Sequence, residues 1–398
     1  MGTYLNPGNS GFAEMQRSNY VDKTGLIGLI NDTISTKKKL TCISRPRRFG
    51  KSYAAQMLCA YYDRTCDSHE LFGGYEISGD ASYEEHINKY NVISIDVTGF
   101  ISAARKKNTS LRDIPALIDD TILKETHKLY PDLNEIDDLN ECLLELVRNT
   151  GTKIVFVIDE WDSMIREAVD DEDAQVSYLN LLRGWFKNNN FTPEAVAAAY
   201  MTGILPIKKD GSQSAISDFR EYSVLNPGDF AEYIGFTEEN VRALCNAGNA
   251  NFENMKSWYD GYSMGGKHSI YNPYSVIQAI ETGVFTSYWK KTSAAETLMT
   301  YIDMDQEGLQ DTVARLIAGE AVEVDTDSFR NDVETFTCKD DILTLLIHLG
   351  YLTYEEVSDS YDNEDCIMAG LARIPNEEVR TEFDKTKEQT CLIERINK

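Results

Sequence analysis

The run Leu40-Thr-Cys-Ile-Ser44 is short, apolar and β-branched, and it breaks at Arg45-Pro-Arg-Arg-Phe-Gly50 before a helical pattern resumes at Lys51-Ser-Tyr-Ala-Ala-Gln-Met-Leu-Cys-Ala-Tyr61. Strand, tight basic loop and helix start, in that order, are the layout of a phosphate-binding loop. The pattern G-x-x-x-x-G-K-[ST] is met at Gly50, Lys51 and Ser52, while Arg45 stands where the first glycine is expected. Each retained residue has a physical task. Gly50 lets backbone amides crowd a phosphate, Lys51 neutralises β- and γ-oxygens, and Ser52 offers a hydroxyl to Mg²⁺. The helix that follows points its N-terminal dipole at the same anion. The plain alternative is a Gly-Lys-Ser at an ordinary strand-to-helix turn.

A second motif bears on that choice. Lys153-Ile-Val-Phe-Val-Ile158 is a continuous apolar run that reads as a strand buried on both faces of a parallel sheet, and it ends in Asp159-Glu160-Trp161-Asp162. At such a strand end Asp159 would join a Mg²⁺ shell while Glu160 polarises an attacking water, a pairing that suits hydrolysis.

The strings Ser44-Arg-Pro-Arg-Arg-Phe-Gly-Lys-Ser52, Tyr20-Val-Asp-Lys-Thr24 and Ile158-Asp-Glu-Trp-Asp162 together resemble the prokaryotic AAA-ATPase-like family of P-loop proteins. In that family an arginine commonly stands where Arg45 does. The resemblance implies an α/β fold: a P-loop NTPase domain with a parallel sheet of the ASCE type and flanking helices, followed by a mostly helical C-terminal domain. The nucleotide-contacting stretch it implies is Arg45, Arg47, Arg48, Phe49, Gly50, Lys51, Ser52 and Tyr53. ATP and Mg²⁺ are the implied cofactors, with Ser52 and Asp159 as metal ligands and Glu160, Lys51 and Thr202 as catalytic groups. The guanidinium groups of Arg45, Arg47 and Arg48 are expected to fork onto phosphoryl oxygens. The rival expectation is that they pair with the acidic surface of the second domain.

Along the chain, residues 1–35 read as a turn-rich N-terminal segment. Tyr20–Thr24 is expected either near the nucleotide base or simply docked on a sheet edge. Asn91-Val-Ile-Ser-Ile-Asp-Val97 reads as a strand lying between the two phosphate-site motifs in sequence. An extra strand there is what ASCE ATPases have, and their strand-end glutamate fits Glu160. Asp96 is read as a turn acid or as a supporting group of the site. Ala195-Val-Ala-Ala-Ala-Tyr-Met201 is a further buried strand, and Thr202 at its end is the candidate sensor of the γ-phosphate. For a charge-stabilising arginine the candidates are Arg166, Arg183 and Arg220 from a neighbouring copy, or Arg47 and Arg48 within the chain.

The P-loop domain is expected over 36–228, closed by the linker Asn226-Pro-Gly228, and the second domain over 229–398, winged-helix-like in part. Thr237 and Asn272 are read as helix caps, with Pro273 in the first turn. Trp258-Tyr-Asp-Gly-Tyr262, Tyr271-Asn-Pro273, Tyr288-Trp289 and Ile374-Pro-Asn-Glu-Glu-Val379 also resemble the family, many members of which pass into a PD-(D/E)xK nuclease domain after the last stretch. No lysine here has an acid two residues before it, so the residues present do not carry that nuclease chemistry. His348, on an apolar helix closed by Gly350, is read as a core histidine.

The charge of −26, from 39 basic and 65 acidic residues, would on average repel nucleic acid and anionic membrane. Eight cysteines without a C-x-x-C pair suggest a reduced, cytoplasmic protein, and no apolar stretch approaches the ~20 residues that span a bilayer. The leading expectation is therefore a Mg²⁺-dependent ATPase that couples hydrolysis to a conformational switch, with ATP as ligand and no membrane partner. A homo-oligomer and an unnamed protein or nucleic-acid partner belong to the same expectation. The alternatives are a nucleotide-gated binding module with little hydrolysis and a DNA-associated motor.

Overall fold

The computed structural model describes residues 2–207, 216–265, 268–289, 308–327, 329, 338–356 and 370–385. Cys366 and Cys391 lie outside the described residues. The chain divides into two compact units. One comprises Met1–Ser44 with Lys51–Tyr222, the other Arg45–Gly50 with Ser223–Lys398.

The first unit is built on a five-stranded parallel sheet of β1 (Leu40–Ser44), β2 (Asn91–Asp96), β3 (Ile154–Asp159), β4 (Val196–Gly203) and β5 (Arg220–Tyr222), in the order β2-β3-β4-β1-β5. β1 and β4 are buried along their whole length, and β3 is buried up to Asp159. That burial explains why these strands read as continuous apolar runs and not as alternating ones. Helices supply the apolar cover. Trp185 and Phe186, at the end of the helix Glu172–Phe186, meet Phe156 of β3 with ring centroids 5.5 and 5.2 Å apart.

The sheet order corrects one expectation. β2, which falls between the two motifs in sequence, is the edge strand of the sheet beside β3, its other side bridged by the N-terminal segment at Leu5; the strand between β1 and β3 in space is β4. The small side chains Ala197, Ala198 and Ala199 give β4 a weak strand signal of its own, and its central place comes from pairing on both edges. Asp96 serves as a cap, its carboxylate accepting from the amide and the hydroxyl of Thr98 at 2.9 and 2.6 Å.

The N-terminal segment is integral to this unit. Asn6 N donates to Val92 O at 2.7 Å, Ser94 N donates to Tyr4 O at 2.8 Å, and Gly8 N donates to the buried Asp63 carboxylate at 2.6 Å. Tyr20–Thr24 docks as well. Asp22 accepts from Thr24 N and from Glu76 N, both at 2.8 Å, and the Tyr20 hydroxyl donates to Met57 Sδ on the helix Lys51–Tyr62 at 3.6 Å.

A mostly helical domain was expected for the second unit; among its described residues helices predominate over strands and are joined by two three-stranded antiparallel sheets. One sheet joins β6 (Phe236–Thr237), β8 (His268–Tyr271) and β7 (Tyr262–Met264), in that order. The other has the order β10-β11-β9, from β10 (Thr353–Glu356), β11 (Gly370–Arg373) and β9 (Val322–Val324). Strands of two to four residues are too short to show a period of two in sequence. The caps were legible: Thr237 accepts from Asn240 N at 3.3 Å, and Asn272 accepts from Tyr274 N at 3.1 Å. The helix Lys339–Leu349 ends at Gly350, which adopts φ +87° and is followed by β10. His348 on that helix is buried, and burial, with Arg45 nearby, pushes its pKa down to about 4, so it is neutral at pH 7. Two stretches noted in the sequence are partners: Asn376 Nδ2 donates to Asp260 O at 2.7 Å. Gly261, at φ +98°, has room for no side chain, since a Cβ there would lie 2.2 Å from Pro375 O.

Candidate functional site

The parallel register brings the ends of β1, β3 and β4 level. Ile43 lies opposite Thr202, Ser44 opposite Gly203 and Ile158 opposite Met201, so Asp159 emerges beside Thr202. Carboxyl ends of parallel strands are where ligands bind in open α/β sheets. Thr202 is fully buried and its hydroxyl donates to Asp159 Oδ1, an oxygen that also accepts from Glu160 N at 3.1 Å. Expected as a phosphate sensor, Thr202 has its hydroxyl committed to Asp159 in this arrangement.

Glu160 adopts φ +53°, an uncommon conformation for a residue with a side chain, and this turns the chain sharply off β3. Its carboxylate is shared between two cations. Oε1 lies 3.6 Å from Lys51 Nζ, and Oε2 accepts from Arg166 Nη2 at 2.6 Å. Lys51 is itself buried, at 4% exposure, although it opens the helix Lys51–Tyr62; Ser52 and Tyr53 beside it are exposed. Lys51, Asp159, Glu160 and Thr202 are thus brought together, joined directly or through one another.

The sequence reading missed the group that organises this cluster. Asp162 has no exposed surface, and its Oδ2 accepts from Arg166 Nε at 2.9 Å and from the amides of Ile204 and Leu205 at 3.1 and 2.9 Å. Although burial works against the charge of Arg166, the carboxylates of Asp162 and Glu160 hold its pKa above the ordinary value. The signal was present as Asp-x-x-x-Arg at one-turn spacing in the helix that follows the strand. Gly203 permits the close approach, since a Cβ there would lie 2.7 Å from Trp161 Nε1 and 2.9 Å from Asp162 Oδ1. Glu221 of β5 ties the neighbouring turn, accepting from Ser44 Oγ at 3.2 Å and from Ile207 N at 2.6 Å.

Arg166 had been a candidate for insertion into a neighbouring copy. Its guanidinium is instead engaged within its own unit at 15% exposure, whereas Arg183, Arg220 and Arg47 are exposed.

The loop residues before Lys51, Arg45–Gly50, belong to the second unit. Arg45 and Phe49 are fully buried, and the Phe49 ring meets Tyr262 edge-on at 4.9 Å. Arg48 donates to Tyr288 O at 2.5 Å and lies 4.4 Å above the Tyr274 ring. A planar guanidinium suits a carbonyl and an aromatic face at once. Phosphate contacts were expected of Arg45 and Arg48 and a nucleotide contact of Phe49; in this arrangement Arg45 is buried, and Phe49 and Arg48 pack on aromatic residues of the second unit. Arg48, at φ +69°, and Gly50, at φ +92°, give the loop its left-handed turns.

A parallel α/β sheet with a lysine at the head of the helix after β1 and paired acids at the end of β3, one strand away across β4, has the layout of a nucleotide-binding domain. A family model described as a predicted AAA-ATPase matches residues 7–212, more than half of the chain, and the protein belongs to this AAA-ATPase-like family of ATP-binding ATPases. No curated protein matches the chain. Among the described residues no helix is long and apolar enough to cross a membrane.

Proposed function

We propose that the protein is a Mg²⁺-dependent ATPase of the ASCE division, in which hydrolysis drives a conformational switch. The observation that carries the reading is the meeting of Lys51 with Glu160 at the strand ends, with Asp159 and Thr202 alongside. The placement of β4 between β1 and β3 supports the ASCE assignment. In this reading the Lys51 ammonium and the amides that open its helix receive the β- and γ-phosphates, and Lys51 exchanges its contact with Glu160 for the phosphate. Glu160 then accepts a proton from the water that attacks the γ-phosphorus as the bond to ADP breaks. Thr202 holds Asp159 in place. Ser52 and Asp159 are hard oxygen donors that fit Mg²⁺, which would supply charge neutralisation on the phosphoryl oxygens.

One observation favours a nucleotide-gated binding module as the second reading: both oxygens of Glu160 are paired with cations. A DNA-associated motor is disfavoured by the charge of −26. The winged-helix expectation would place the helix Lys339–Leu349, which precedes β10, in a nucleic-acid groove, but that helix is buried from Asp341 to His348. A cytoplasmic setting fits the free thiols at Cys42, Cys59, Cys66, Cys142, Cys245 and Cys338.

Calorimetry and single-turnover kinetics test the reading. Lys51→Ala is expected to weaken ATP binding, and unchanged affinity would overturn the loop assignment. Glu160→Gln is expected to keep ATP bound while slowing hydrolysis by ~10²–10⁴-fold. An equal loss of binding and turnover would make Glu160 a structural residue.

A further inference from the structure

We propose that Arg166, anchored by Asp162, is the positioning residue that selects which oxygen of Glu160 acts as the base. The inference rests on the ATPase reading and adds to it a part that the phosphate-loop motifs do not contain. Glu160 is held asymmetrically. On one side, Oε2 meets Arg166 Nη2 at 2.6 Å, and the same Nη2 donates to Ser163 Oγ at 3.1 Å. On the other, Oε1 has the looser contact with Lys51 at 3.6 Å.

The tight side has little freedom. Arg166 Nε is bound to Asp162 Oδ2 at 2.9 Å, and that carboxylate has no exposed surface and is fixed by the Ile204 and Leu205 amides of the turn after β4. A guanidinium bridging two carboxylates uses two edges of its fork, a geometry that a single ammonium cannot reproduce. The loose side is the one that a phosphate would release, because Lys51 is the residue that turns to the nucleotide. Once it does so, Oε1 is free on the side Lys51 has left, while Oε2 remains on Arg166. The base is therefore oriented by a third group, as nucleophile–base pairs commonly are. The chain Glu160–Arg166–Asp162 also connects the base to the backbone just beyond Thr202, so the ends of β3 and β4 set its position together.

The test uses the full chain and separates kcat from KM for ATP. Arg166→Lys keeps a cation beside the buried Asp162, which guards the fold, and removes the bridge; Arg166→Ala removes both. The expected result is a fall in kcat of ~10–10²-fold for Arg166→Lys, with KM for ATP within about twofold, since small misplacements of a reacting group cost rate and not affinity. Arg166→Ala is expected to fall at least as far, and melting curves show whether each variant is folded. A wild-type chain that hydrolyses ATP, with folded Arg166→Lys keeping kcat within twofold, overturns the positioning role and leaves the ATPase reading standing. Loss confined to KM overturns it equally, by placing Arg166 in nucleotide binding. A wild-type chain that binds ATP without hydrolysing it overturns both.

Discussion

Replacing Asp162 by alanine removes one carboxylate and leaves three groups without their acceptor. The amides of Ile204 and Leu205 each donate to it from buried positions, and a buried donor without a partner costs about 1–3 kcal/mol. Arg166 loses the carboxylate at 2.9 Å that offsets its own burial, and breaking a buried pair costs about 3–5 kcal/mol. These contributions overlap, because Arg166 keeps Glu160 as a partner, so the expected loss is about 5 kcal/mol in all. Asp162→Asn keeps the shape and one accepting oxygen and is expected to lose about half as much. Against a typical domain stability of about 5–15 kcal/mol, the alanine variant is close to unfolding. Urea denaturation measures the total: at a slope of about 3 kcal/mol per M, the midpoint falls by ~1.5 M. Hydrogen exchange at the Ile204 and Leu205 amides localises it, since their protection depends on this carboxylate. A midpoint shift of Asp162→Ala below ~0.5 M, with those amides still protected, would refute the reasoning.

Two further outcomes concern the second unit. Arg48→Ala removes the bond to Tyr288 O and the contact with the Tyr274 ring, and is expected to lower stability by about 1–2 kcal/mol while leaving ATP affinity unchanged in calorimetry; lost affinity at an unchanged melting temperature would restore a phosphate contact for Arg48. Burial raises the Glu378 carboxyl from 4.5 to about 7, opposed by the Tyr288 amide, the Ser275 hydroxyl and the Arg48 charge, with Glu382 adding to the rise. The folded state therefore binds this proton more tightly than the unfolded chain. Its stabilising effect is complete below pH 4.5 and is lost as pH rises through about 7. Glu378→Gln is expected to abolish that slope in denaturation midpoints measured across the range, leaving the variant the more stable form above pH 7. A slope that persists would assign the titration elsewhere.

The sequence alone determined what local chemistry can encode. A run such as Ile154–Ile158 must be buried on both faces. Gly50-Lys-Ser52 must open a helix. Thr237, Asn272 and Gly350 must cap their helices, because each supplies the missing acceptor or the left-handed backbone within a few residues of its partner. The family was legible for the same reason, since its signatures are contiguous.

Three matters were decided only by the tertiary structure. Sheet order is the first: chain order put β2 between the phosphate-site strands, yet hydrogen bonding put β4 there. The second is the fate of the basic loop. Its arginines suit a polyanion as well as they suit a carbonyl and an aromatic ring, and only the tertiary structure brings Arg48 to Tyr274 and Tyr288, far along the chain. The third is Asp162, whose importance lies in its burial and in amides from another strand. A carboxylate in a sequence carries no mark of what will surround it, and its energy depends almost wholly on that surrounding.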